Sequence, residues 1–178
     1  ASSSQQRPDI NGSDSFQTVW TELIHLGLLI CGVYRRNRPS QPDLERLEME
    51  QLTNQILKAA QTGKAVLVLG DLNLDHSNPM HKKQKEANDL LCTIDAATMR
   101  HLPTGITWKS DGYFKVCHCV VQCDCPKRQR TATLDNVYLS NTESASAVVL
   151  KDALSDHFPI LINLETKNKA KKSKLETI

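Results

Sequence analysis

Hydrophobic and polar positions change rhythm along this chain, from the two-residue period of strands to the helical period and back. Phe16 to Trp20 and the following Thr21 to Ile24 alternate as a strand does. Leu26 to Tyr34 is a continuous apolar run containing Gly27 and Gly32, which predicts a buried strand ending at Tyr34. Arg35 to Gln41 is a polar, Pro-containing loop. From Pro42 to Thr62, Leu44, Leu47, Leu52, Ile56 and Ala59 recur at helical spacing. Pro42 suits the first turn of that helix, Asp43, Glu45 and Glu48 favour its positive end, and Gly63 stops it.

Ala65 to Leu69 then reads as a central strand and Gly70 to Pro79 as the loop beyond it. Gln84 to Ala97 predicts a second helix packed through Ala87, Leu90, Leu91 and Ile94. A short strand is expected at Ile106 to Trp108 after the Pro103-Thr104-Gly105 turn, then a Cys-rich loop from Ser110 to Arg130. Strands return at Thr133 to Leu139, Ala147 to Lys151 and Phe158 to Leu164. The order is β-β-α-β-α-β followed by three strands, a mixed α/β layout with short connections and no internal repeat.

Composition changes this picture modestly. With 178 residues, 39% of them hydrophobic, the chain suffices for one core but hardly two. Twenty-two basic against 20 acidic side chains give a net charge of +2, too mild to argue for nucleic-acid binding. Five lysines between Lys167 and Lys174, and the cluster Lys127-Arg128-Gln129-Arg130, read as solvated surface or as phosphate contacts. The domain is expected at 16–166, with a Cys-rich insertion at 110–130, a disordered Ser- and Gln-rich lead-in at 1–15 and a basic tail at 167–178. No run approaches the ~18 apolar residues of a membrane span, and the polar start has no signal-peptide h-region. Cys31 and Cys92 lie in apolar contexts and read as buried thiols. Nothing suggests a secreted disulfide scaffold, so a reducing nuclear or cytoplasmic setting is expected.

Two segments carry candidate chemistry. Gly70-Asp71-Leu72-Asn73 closes a buried strand, and Asp71 and Asn73, two apart on extended backbone, point to one side. Such a pair can bind a metal or hold an attacking water; the same four residues are also ordinary turn chemistry. Ser155-Asp156-His157-Phe158-Pro159-Ile160 places an imidazole poised near neutral pH beside a carboxylate, although a histidine there can simply cap a strand. His76 and His81, flanking Pro79 in a polar loop, read as solvated. Trp20 and Trp108 read as core residues.

With Thr107-Trp108 and Leu134-Asp135-Asn136-Val137-Tyr138, these segments form an ordered set. The chain resembles the endonuclease/exonuclease/phosphatase superfamily over Val33 to Leu164. Ala87-Asn88-Asp89-Leu90-Leu91, Leu102-Pro103-Thr104-Gly105-Ile106-Thr107-Trp108 and Thr133-Leu134-Asp135 look most like the endonuclease domains of non-LTR retrotransposons, as does the strand ending in Tyr34. The resemblance implies a DNase I-like two-sheet α/β sandwich that hydrolyses DNA phosphodiesters with Mg²⁺ or Mn²⁺, leaving a 3′-hydroxyl. It implies that Asp71 positions and deprotonates the attacking water and that Asn73 orients it and contacts phosphate. His157 would bind the scissile phosphate, Tyr34 and Thr107 would donate to phosphate oxygens, Asp135 would sit in the acidic cluster, and Asp156 would be a metal ligand or orient the histidine.

Two departures stand out. The family begins with strands ending in a phosphate-binding Asn and a metal-binding Glu upstream of the tyrosine, and those leading strands are not expected in the residues before Tyr34. Neither Asn11 nor Glu22 is assigned to those roles. A sandwich so reduced exposes sheet edges, which favours self-association or a partner supplying the strands. The second departure is Cys117-His118-Cys119-Val120-Val121-Gln122-Cys123-Asp124-Cys125, four thiols in nine residues. On a hairpin Cys117, Cys119, Cys123 and Cys125 could face one side and hold a structural Zn²⁺; disulfides or free thiols are the alternative. The functional expectation is therefore a Mg²⁺-dependent DNA endonuclease. The alternatives are a catalytically inactive remnant acting as a binding or assembly module and, within the same fold, a phosphatase of lipid or inositol phosphates.

Overall fold

A computed structural model describes residues 3–10, 17–78, 83–115, 127–140, 144–151 and 155–165. It shows a mixed α/β sandwich. Ten strands are described: β1 (Ser4–Gln6), β2 (Gln17–Leu23), β3 (Leu28–Tyr34), β4 (Ala65–Asp71), β5 (Met99–Leu102), β6 (Trp108–Lys115), β7 (Lys127–Ala132), β8 (Asp135–Ser140), β9 (Ser144–Val149) and β10 (Ile160–Glu165). Helix α1 spans Pro42–Ala60 and α2 spans Gln84–Ala96. The central sheet runs β1-β2-β3-β4-β8-β5. Only β3 and β4 are parallel within it, joined through α1, as a parallel crossover requires.

The two faces of this sheet bury different partners. Leu29, Cys31, Val33, Val66, Val68 and Tyr138 pack with Leu52, Ile56, Ala87, Leu90 and Ile94 of the two helices. On the opposite face Leu28, Leu67, Val137 and Leu139 meet the antiparallel pair β9–β10 through Ala147, Ile160, Ile162 and Leu164. Strand pleating sends alternate residues to opposite faces. That explains why the central strands read as unbroken apolar runs.

Several boundaries depart from the sequence reading. Ser4–Gln6 pair with β2, and Ile10 joins the helix-side core at 2% exposure, so this part of the expected disordered lead-in is folded. Arg7 and Lys64 both bond the Glu22 carboxylate inside β2, which makes Glu22 a salt-bridged strand residue. Within α1, Glu45 and Glu48 are buried while Leu47 is 45% exposed, because buried cations, not apolar spacing, decide which side faces inward there. Cys31 is buried as expected, but Cys92 is exposed. β5 is not expected from the sequence, and residues at both ends of the expected Cys-rich loop pair antiparallel in β6 and β7, with a shift of register between Lys109 and Tyr113. Cys117, Cys119, Cys123 and Cys125 lie outside the described residues, as do Asn11, His81 and the basic tail. Among the described residues no helix is long and apolar enough to cross a membrane.

Gly70, one residue before the end of β4, has φ of +141°, and a Cβ there would stand 1.9 Å from the Val33 carbonyl oxygen. The close approach lets β3 and β4 end side by side. Gly70→Ala is expected to lose about 3 kcal/mol in urea unfolding, from overpacking and backbone strain together.

Candidate active site

Three strand ends converge at one edge of the central sheet. Tyr34, Asp71 and Asp135 share one cross-strand row, since Tyr34 pairs with Asp71 and Asp71 with Asp135. Register partners project to the same face, so the row sets a phenol and two carboxylates side by side. Tyr34 is 46% exposed and available to solvent.

The chain after Asp71 is held rather than loose. Arg35 N–H donates to the Asp71 carbonyl at 2.8 Å, and Asn73 Nδ2 donates back to the Arg35 carbonyl at 2.7 Å. Asn73 N–H donates to Asp71 Oδ1 at 2.9 Å. This turn puts Asn73 at φ of 51°, a left-handed conformation that asparagine tolerates better than most residues. The Arg35 guanidinium, 0% exposed, donates to the Leu72 carbonyl at 3.3 Å and to Glu86 at 2.6 Å, with Glu45 at 3.8 Å. Sequence reading passed over Arg35 because an arginine in a polar loop looks like surface.

The histidine arrives from the other side. Trp108 forms an isolated antiparallel bridge with His157, Lys109 N–H donates to the Asp156 carbonyl at 3.0 Å, and Phe158 N–H donates to the Thr107 carbonyl at 2.8 Å. His157 Nδ1 then donates to Asp135 Oδ2 at 2.8 Å, and its Nε2 stands 4.0 Å from Asp71 Oδ2. Burial lowers the imidazole's affinity for its proton, but the Asp135 bond and the charges of Asp135, Asp71 and Asp156 outweigh it, so the pKa is raised. Burial also raises the Asp71 carboxyl; the Asn73 N–H opposes this and the charges of Asp135 and Asp156 add to it.

Thr107 is fully buried, not presented to a phosphate. Its hydroxyl oxygen accepts from the N–H groups of Leu134 and Asp135, each at 3.0 Å, and so anchors the start of β8. Trp108, expected in the core, is partly exposed beside His157, and its indole N–H donates to Asp156 Oδ2 at 2.9 Å. Trp20 is the true core tryptophan, 0% exposed, with its indole on Gln55. A cleft of about 980 Å³ runs past His157, lined by Asn73, Lys83, Trp108, Arg130 and Leu134.

On the helix side of the sheet, below the turn after β4, lies a second polar cluster. His76, expected to be solvated, bonds the Tyr138 hydroxyl at 2.6 Å and packs on His101 with ring centroids 4.9 Å apart. His101 Nε2 meets Asn136 Oδ1 at 3.1 Å, and Asn136 Nδ2 donates to the Leu74 carbonyl at 2.9 Å. Burial, with help from His101, pushes the His76 pKa down to about 4.

Each acid at the site has one oxygen engaged by a nitrogen donor: Asp71 by Asn73, Asp135 by His157 and Asp156 by Trp108. Among the described residues no three carboxylate, imidazole or thiolate groups converge as a metal cage. The hard oxygen donors nonetheless suit Mg²⁺, which one or two carboxylates hold while water and substrate phosphate complete its shell.

The Endonuclease/Exonuclease/phosphatase family model matches residues 5–157. No curated protein matches the chain. Among solved structures, the 3′-5′ exonuclease NExo from Neisseria meningitidis gives a TM-score of 0.56 at 14% identity, covering 83% of this chain and 64% of that one. TDP2 from Caenorhabditis elegans gives 0.51 at 13% identity, covering 84% of this chain and 45% of that one. Both likenesses are of fold, and the chain spans under two thirds of either structure's length.

Two outcomes follow from this geometry. Thr107→Val should cost about 1–3 kcal/mol in urea unfolding by leaving two backbone N–H groups without their acceptor, and Thr107→Ser should restore most of it. Between pH 6.5 and about 4 the unfolded chain takes up a proton at His76 that the folded chain refuses, so stability falls as pH drops through that window. His76→Gln should flatten that part of a urea-midpoint profile.

Proposed function

The chain belongs to the Endonuclease/Exonuclease/phosphatase family, and from that premise we propose that it hydrolyses phosphodiester bonds in DNA, as a Mg²⁺-dependent endonuclease of the non-LTR retrotransposon type. One observation carries the reading: His157, bonded to Asp135 at 2.8 Å, faces Asp71 at 4.0 Å at the mouth of a solvent-filled cleft. A carboxylate and an imidazole thus stand side by side, 4.0 Å apart, with the imidazole lining an open cleft that could admit a phosphate.

Asp71 accepts the proton of the attacking water. Burial raises its carboxyl pKa, which makes it a better base than an ordinary aspartate. Asp135 raises the proton affinity of His157, and the imidazole in its protonated form places positive charge where negative charge grows on the phosphoryl oxygens. Asn73 orients the water and the phosphate from its fixed turn. Tyr34, exposed in the same row, donates to a phosphate oxygen, and Thr107 acts through Asp135 by anchoring it. Mg²⁺, held by Asp156 together with substrate oxygens, would neutralise charge on the phosphate and the leaving alkoxide. Arg130 in the cleft wall suits a polyanionic backbone.

A second reading is a non-catalytic binding or assembly module, and the exposed edge strand β1 of the central sheet favours it. In that case the chain would act through self-association or a partner.

Nicking of supercoiled plasmid separates the two. With Mg²⁺ the chain should convert supercoiled to open-circular DNA, EDTA should abolish conversion, and His157→Ala and Asp71→Asn should each lower the rate about 10²-fold or more. Ionised Asp71 gives the acid limb of the pH profile and protonated His157 the alkaline limb. Asp135→Asn removes the negative charge that helps raise the histidine, so the alkaline limb should move to lower pH. A folded chain that leaves plasmid intact would overturn the nuclease reading.

A further inference from the structure

Thr107 and Trp108 are neighbours at the start of β6, yet they face opposite ways. Thr107 turns inward and fixes Asp135 through the N–H groups at the start of β8. Trp108 turns toward the cleft and bonds the other acid near the histidine, Asp156. We propose that Trp108 is a positioning residue: its indole N–H holds the Asp156 carboxylate beside His157 and so fixes where that charge stands in the cleft. The kinetic consequence rests on the phosphodiesterase reading above; the contact rests on geometry alone.

The local backbone shows why a side-chain tie matters here. Lys109 N–H to the Asp156 carbonyl, and Phe158 N–H to the Thr107 carbonyl, lay residues 156–158 along the start of β6. These bonds fix the main chain and leave the Asp156 side chain, which is exposed, free to choose among rotamers. The indole donor removes that choice. It also does so without charge, because indole donates one N–H and accepts nothing. An arginine or lysine in its place would hold the carboxylate by neutralising it and would compete with a cation for its oxygens. Trp108 leaves Asp156 placed, without a cationic partner on the indole, and with one oxygen engaged. Its rigid two-torsion side chain makes the placement inexpensive in conformational entropy.

The chain has two tryptophans, so an ¹⁵N-labelled sample gives two indole cross-peaks. Trp20, bonded to Gln55 at 2.9 Å in the core, is the internal control. Asp156→Ala should shift the Trp108 indole proton upfield and leave that of Trp20 in place. In plasmid nicking, Trp108→Phe keeps an aromatic ring and loses the donor; kcat should fall about tenfold with KM nearly unchanged, the rate equivalent of one hydrogen bond. In the Asp156→Ala background the same change should cost nothing further. An indole resonance indifferent to Asp156, losses that multiply in the double variant, or an effect on KM alone would each overturn the proposal. Should the unmodified chain fail to nick, the reaction reading falls by itself. The indole resonance then decides the contact, and an unmoved peak overturns it there too.

Discussion

Arg35 ties the reactive edge of this molecule to its core. A guanidinium with no solvent exposure is costly unless its charge is met, and here Glu86 of α2 and Glu45 of α1 meet it. The same residue donates to the Leu72 carbonyl from its side chain, and to the Asp71 carbonyl from its backbone, while its own carbonyl receives Asn73. Both helices and the turn after β4 therefore depend on one buried cation. Lys83 adds a second bond to Glu45, and Arg38 one to Glu48, so the charge continues outward as a network rather than ending at a pair.

The chemistry at the edge follows from what that scaffold permits. Three aspartates and one histidine stand close together, an arrangement that raises the energy of every added negative charge and lowers that of a positive one. Nitrogen donors, not lysines or arginines, engage the aspartates: a backbone N–H for Asp71, an imidazole for Asp135 and an indole for Asp156. The carboxylates thus lose their freedom without being paired to a lysine or arginine, which suits a site that must attract a cation or hold an imidazolium. Such groups need rigid support. The close approach of Gly70 to Val33, the buried Thr107 hydroxyl and the Asn136 bonds to Leu74 and Leu134 provide it from below.

Much of this architecture was legible in the order of residues. Apolar runs marked β3 and β4 because both faces of the central sheet are covered, and the apolar positions of α2 identified the residues it buries, Ala87, Leu90 and Ile94. Asp71, Asn73, Asp135 and His157 could be picked out at strand ends, and the fold brings them together. The inward side of α1, by contrast, was misread near its start. Glu45 and Glu48 face inward only because Arg35, Lys83 and Arg38 arrive from elsewhere in the chain. Thr107 and Trp108 were recognised as a motif but given the wrong surroundings: one is sealed in, the other stands at the cleft.

What the sequence determined by itself was therefore periodic or punctuated: strands, helices, their order, and the polar groups left at strand ends. Those features arise from contacts within a few residues or from the two faces of one element, so the local pattern records them. What only the tertiary structure decided was partnership. The bond from Trp108 to Asp156 spans 48 residues, that from Arg35 to Glu86 spans 51, and that from His76 to Tyr138 spans 62. A residue's partner at such distance depends on how whole elements pack, and the role of a threonine, an arginine or a tryptophan depends on that partner.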